Sequence, residues 1–238
     1  MRKFDAHVVI GGRNGVGKSM LMLAIMREYM KKQGPAISFY EAEQNDKIHF
    51  LYTYHTRDEF SKLIRELRNC IFGIDELKVF FDHRRFNLGE QMNLYNTVEL
   101  ARSHTHFYVG CTRELDKILL DYRNAKCGIL IRLLDRVEEY GGYVYGMVFI
   151  GNEVIEREDK FMQAALQSAY SFREVVAVGK QLHTFVGMIV IKDIHSYGIT
   201  EEDLHLYDEL KERGIQRQSN IIGKTKRKRG RPRKAAEE

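Results

Sequence analysis

Two hydrophobic periods alternate along this chain. Residues 6–12, AHVVIGG, are a continuous apolar run of the kind found in strands buried on both faces of a parallel sheet. Apolar positions then recur at helical spacing over 18–32, and Gly34-Pro35 stops that helix. Short apolar runs at 37–40, 49–54, 70–74, 106–112 and 128–134 predict further strands. Between them, Thr56 or Asp58 caps a helix reaching about residue 67, and a polar loop after 76 leads into a helix over about 88–103. Residues 114–122 read as a short helix or turn, and 143–150 with 154–156 as a hairpin turning at Gly151-Asn152. Farther on, a helix near 161–170, a strand at 185–191 and a helix at 201–212 are expected. From about Gln216 the periodicity is lost, which predicts a disordered tail.

Strands that alternate with helices imply an α/β fold, with a mostly parallel sheet covered on both faces and an antiparallel β extension after residue 128. Within this pattern, residues 12–19 read GRNGVGKS, a full match to G-x-x-x-x-G-K-[ST], leaving a strand and opening a helix as that motif requires. Gly12, Gly15 and Gly17 let the backbone turn its amides inward around an anion, together with Arg13, Asn14 and Val16. Lys18 would place its ammonium between the β- and γ-phosphates, and Ser19 would supply a hydroxyl to Mg²⁺. The fold class is therefore a P-loop NTPase, RecA-like in its mostly parallel sheet.

A P-loop enzyme also needs an acid at the tip of a neighbouring strand. CIFGIDEL supplies Asp75 for the magnesium shell and Glu76 as the base that polarises the attacking water. No guanine-reading NKxD element is present, so ATP is the expected nucleotide, with Mg²⁺ as its partner. The strand at 106–112 ends in Thr112, placed to sense the γ-phosphate, and Arg113 either binds phosphate or is solvated. Arg123 is a candidate arginine finger acting on a neighbouring subunit.

Composition changes this picture at one end only. The net charge is +5, yet residues 224–238 hold eight of the 38 basic and two of the 33 acidic residues, leaving 30 against 31 elsewhere. Within KRKRGRPRK, the segment Arg229-Gly230-Arg231-Pro232 resembles the AT-hook, in which two arginines lie in the narrow minor groove of A·T-rich duplex DNA. A nuclear-localisation-like run and a solubilising tail are the competing readings. Cys70, Cys111 and Cys127 sit in apolar surroundings without metal spacing and read as small buried residues. Apolar runs such as 186–191 fall far short of the roughly 20 residues needed to span a bilayer. With an N-terminus that enters a strand directly, a cytoplasmic location is expected.

The order of P-loop, Asp75-Glu76, then Thr112, Asp116, Arg123 and a strand at 128–134 resembles the FtsK/HerA superfamily, which includes viral DNA-packaging ATPases and Zot-like assembly ATPases. The resemblance covers about residues 5–157 and departs at Arg113, where that family has Gln. It implies a homo-oligomeric ring that hydrolyses ATP to move double-stranded DNA. The expected organisation is an ATPase core at 1–157, a C-terminal α/β addition at 158–215 and a basic tail at 216–238. A DnaA-like or helicase-loader ATPase and a nucleotide-gated DNA-binding regulator are the alternatives.

Overall fold

The computed structural model describes residues 6–33, 38–51, 55–82, 89–118, 122, 128–137, 143–150, 171–181, 184–191 and 194–229. Its strands are β1 (Ala6–Gly11), β2 (Ile48–Leu51), β3 (Ile71–Ile74), β4 (Phe107–Thr112), β5 (Ile129–Val137), β6 (Tyr143–Ile150) and β7 (Phe185–Ile191). They form one sheet in the order β2-β3-β4-β1-β5-β6-β7. The first five positions pair in parallel, and β6 and β7 extend the sheet antiparallel. The α/β class and the antiparallel extension are thus as the apolar pattern implies.

The continuous apolar runs follow from burial on both faces. Along β1, Val8 and Ile10 point to one core and Val9 to the other. Helices α1 (Lys18–Gln33) and α2 (Phe39–Gln44) cover the first face, joined by the N-terminal part of the last helix, α7 (Glu201–Arg229). Helices α3 (Arg57–Glu66), α4 (Leu77–Phe80), α5 (Gly89–Leu100) and α6 (Phe172–Lys180) cover the second. The α1 packing is close: a Cβ on Gly73 would lie 2.7 Å from Met26 Sδ, so a larger residue there would displace the end of that side chain. Cys70 and Cys111 are buried free thiols.

Several local expectations are corrected. Residues 39–44 form α2, where a strand was expected at 37–40. Ser38 accepts a hydrogen bond from the Glu41 amide, and this cap, with Phe39 and Ala42 buried at i, i+3 spacing, outweighs a four-residue apolar run. The loop after Glu76 contains α4, because Leu77 and Phe80 are one turn apart and both buried. The antiparallel partners of β6 are β5 and β7, while residues 154–156 and 161–170 lie outside the described residues. Helix α7 runs on to Arg229, past the expected end at 212 and through the start of the expected disordered tail. Its second half is rich in Lys, Arg and Gln and contains no proline, so a helix already nucleated at Glu201 continues without an apolar stripe.

Candidate functional site

The phosphate cradle forms where β1 ends and α1 begins. Gly15 and Gly17 adopt φ values of 77° and 95°, left-handed backbone that a side chain would strain. Gly12 needs space instead, since a Cβ there would meet Val16 Cγ1 at 3.0 Å and Leu133 Cβ at 3.1 Å. Arg13 and Asn14 are exposed on the loop, and Val16 anchors it in the core. Helix α1 opens at Lys18, with the Leu21 amide donating to Gly17 O at 3.0 Å, and the amides of its first turn, which a helix leaves without an internal partner, are the candidate anion site. Lys18 Nζ arches over the loop and donates to the Arg13 carbonyl at 2.7 Å. Burial pulls its ammonium below the ordinary lysine value, and the carboxylates of Glu76 and Asp75 oppose that pull.

The acid is not on the strand beside β1. β4 lies between β1 and β3, with Gly11 level with Thr112 and Ile74 level with Gly110. Asp75 nevertheless reaches the cradle, because Ser19 Oγ donates to its Oδ1 at 2.7 Å. A hydroxyl and a carboxylate oxygen in contact suit Mg²⁺, a hard cation that keeps most of its waters and takes few protein ligands. Glu76 follows at the start of α4, half-buried. Burial raises its carboxyl above the usual range, while Lys18 and Lys78 act in the opposite direction.

Thr112 and Arg113 part company at the tip of β4. The Thr112 side chain is fully buried and its hydroxyl accepts from the Glu114 amide at 3.2 Å, which helps to shape the turn. Arg113 is exposed near Lys18, whose ammonium it disfavours. Glu114 pairs with Lys78 at 2.7 Å and with Lys117, and those two ammonium groups hold its carboxyl down at about 2. That network ties α4 to the turn after β4. Asp116 falls within that turn, and Arg123 lies outside the described residues.

Three side chains at the site escaped the sequence reading. Arg132, buried in β5 level with Gly11, brings Nη1 to 3.2 Å from where a Cβ on Gly11 would stand. Its only signal was a lone charge in an apolar run. Tyr207 donates its hydroxyl to Asp75 Oδ1 at 3.0 Å, and Lys211 Nζ lies 3.8 Å from Asp75 Oδ2. Burial, followed by the Asp75 charge, keeps the Tyr207 hydroxyl protonated far beyond its usual range. Nothing local in the sequence marks these two residues.

In the tail, Arg229 ends α7, and Gly230, Arg231 and Pro232 lie outside the described residues. Among the described residues no helix is long and apolar enough to cross a membrane.

The family model of the ATPase family associated with various cellular activities (AAA) matches residues 8–133, and that of the AT hook motif matches residues 226–238. No curated protein matches the chain. Among solved structures, the N-terminal domain of zonular occludens toxin from Neisseria meningitidis shares 14% identity at a TM-score of 0.48, over 81% of this chain and 98% of that one. The genome packaging NTPase B204 of Sulfolobus turreted icosahedral virus 2, in complex with ATP-gammaS, shares 14% identity at a TM-score of 0.43, over 62% and 93%. The flagellar accessory protein FlaH from Methanocaldococcus jannaschii shares 13% identity at 0.36, over 62% and 78%. With the cradle, the Ser19–Asp75 contact and a family match spanning more than half its length, the chain belongs to the AAA family of P-loop ATPases.

Proposed function

We propose that this protein is a Mg²⁺-dependent ATPase that works on double-stranded DNA as a homo-oligomeric motor of the translocating or genome-packaging kind. The observation that carries the hydrolytic half is the Ser19–Asp75 hydrogen bond, with Glu76 next in the chain. It brings the cradle and the acidic strand tip to one point, the arrangement phosphoryl transfer to water needs. The amides of the loop and α1 hold the phosphates, and Lys18 leaves the Arg13 carbonyl to pair with them. Ser19 and Asp75 would hold Mg²⁺, which supplies charge neutralisation at the phosphates. Glu76, with its raised carboxyl and no cap duty in α4, orients a water and takes its proton. The DNA half rests on the AT-hook match at 226–238 and the eight cations of residues 224–238. Translocation is supported by the resemblance of the motif order to the FtsK/HerA superfamily.

A helicase-loader or replication-initiation role is the second reading, favoured by the AAA match itself. ATP turnover measured with and without duplex DNA separates these readings. A motor gives DNA-stimulated turnover that Glu76→Gln lowers about 10²–10⁴-fold while nucleotide binding survives. Turnover indifferent to DNA, in a protein whose DNA binding follows the nucleotide, would reject the motor. Strand displacement or roadblock clearance on duplex DNA then distinguishes translocation from loading.

A further inference from the structure

Helix α7 is held at three points along its length, and the middle one is the site. At its start Asp203, 1% exposed, pairs with buried Arg27 of α1 and accepts from the Phe39 amide at 2.9 Å. One turn on, Tyr207, 2% exposed, donates to Asp75 Oδ1, the oxygen that also accepts from Ser19. One further turn places Lys211 Nζ 3.8 Å from Asp75 Oδ2 and 5.6 Å from the Tyr207 ring centre. Tyr207 and Lys211 are i, i+4 neighbours on one helix face, so they move with α7 as a unit. Farther along, Arg217 pairs at 2.8 Å with Glu59, the residue that closes the capping box of α3. The same helix then continues to Arg229, into the basic run.

We propose that α7 couples the occupancy of the nucleotide–metal site to the DNA-binding segment, with Lys211 and the divalent cation competing for the Asp75 carboxylate and Tyr207 serving as the positioning residue that ties the helix to it. The inference rests on the Mg²⁺-ATPase and DNA-tail reading given above. An ammonium 3.8 Å from Asp75 Oδ2 and a cation held by Ser19 and Asp75 repel each other, so each weakens the other's hold on the carboxylate. Linkage makes the effect reciprocal: metal and nucleotide loosen the Lys211 contact, and a pull on α7 that withdraws Lys211 strengthens metal binding by the same factor. The signal has a stiff path outward. From Tyr207 to residue 224 the helix is unbroken, about 25 Å at 1.5 Å per residue, so a tilt at Lys211 arrives at the basic run instead of dissipating in a loop.

The test uses the full chain with a non-hydrolysable ATP analogue and Mn²⁺ as the metal probe. Lys211→Met keeps the side-chain stem at a half-exposed position and removes the charge. It should tighten Mn²⁺ binding to the nucleotide complex about two- to fivefold, the scale of one exposed ion pair, and Lys211→Arg should restore the wild-type value. Amide exchange over residues 204–217 should change in wild type when Mn²⁺ and analogue are added, and change less in Lys211→Met and Tyr207→Phe. Duplex-DNA affinity should shift with Mn²⁺ and analogue in wild type and lose that dependence in Lys211→Met, while binding itself persists. Unchanged Mn²⁺ affinity in Lys211→Met, or α7 exchange indifferent to metal and nucleotide, overturns the coupling even where ATP turnover and DNA binding are normal. A wild type that binds no duplex DNA overturns instead the DNA-tail reading and the outward half of the coupling, and the Mn²⁺ and exchange results still decide the competition at Asp75.

Discussion

His106 shows how single residues in this fold are fixed by their neighbours. It is 1% exposed, its Nδ1 faces the Cys70 amide at 3.4 Å, and its Nε2 faces the Ile64 carbonyl at 3.1 Å. An amide pointing at Nδ1 requires a lone pair there, so the proton belongs on Nε2 by this network. Burial accordingly pushes the imidazole down to about 4. Between pH 6.5 and 4 the unfolded chain takes up a proton that the folded chain refuses, so stability falls as pH drops through that window. The loss is on the order of 3 kcal/mol at most. Urea midpoints from pH 7 to 4 should decline, and His106→Gln, which does not titrate, should flatten the slope. At the candidate nucleotide site, Lys18→Ala should abolish binding of a fluorescent ATP analogue without lowering the thermal midpoint, since Lys18 Nζ hydrogen-bonds the loop's own Arg13 carbonyl.

At the scale of elements, caps and buried pairs decide where helices start and how they dock. Thr56 and Glu59 form a full capping box on α3, so Thr56→Ala should cost about 1 kcal/mol in denaturant unfolding. Asp203 has a larger task, because it satisfies Arg27, the Phe39 amide and Thr200 at once and so joins α1, α2 and α7. Asp203→Ala leaves the Arg27 guanidinium buried beside the Phe39 ring without its carboxylate and should cost about 3–5 kcal/mol. Chemical denaturation of that variant, against the smaller Thr56→Ala effect, checks the ranking. The helix α3 is legible in the sequence, which leaves its cap open between Thr56 and Asp58, and the structure assigns it to Thr56. The helix α2 is masked in the sequence because residues 37–40 are apolar enough for a strand, and the Ser38 cap outweighs that run.

For the whole molecule, charge is segregated: a near-neutral body carries a basic terminus reached through one long helix. Removing residues 224–238 should leave basal ATP turnover intact and flatten the salt dependence of duplex binding. Eight cations fully engaged would give a log–log slope as steep as about −7, which titration of affinity against salt measures directly. A truncated protein that keeps the wild-type slope would place DNA binding elsewhere.

By itself, the sequence determined the parts whose chemistry is contiguous. Eight residues in a row make the cradle, an apolar run followed by Asp75-Glu76 makes the acidic tip, and RGRP is read as it stands. Each needs only its own neighbours to be recognised. The sheet order was left to the tertiary structure, which inserts β4 between β1 and β3 and sets Thr112 level with Gly11, its hydroxyl accepting from the Glu114 amide. It also decided that Tyr207 and Lys211, more than 130 residues from Asp75, meet the same carboxylate as Ser19. Side-chain proximity across a sheet depends on crossover connections and on how far a helix continues. Neither leaves a periodic trace in the chain, and only the packed fold reveals them.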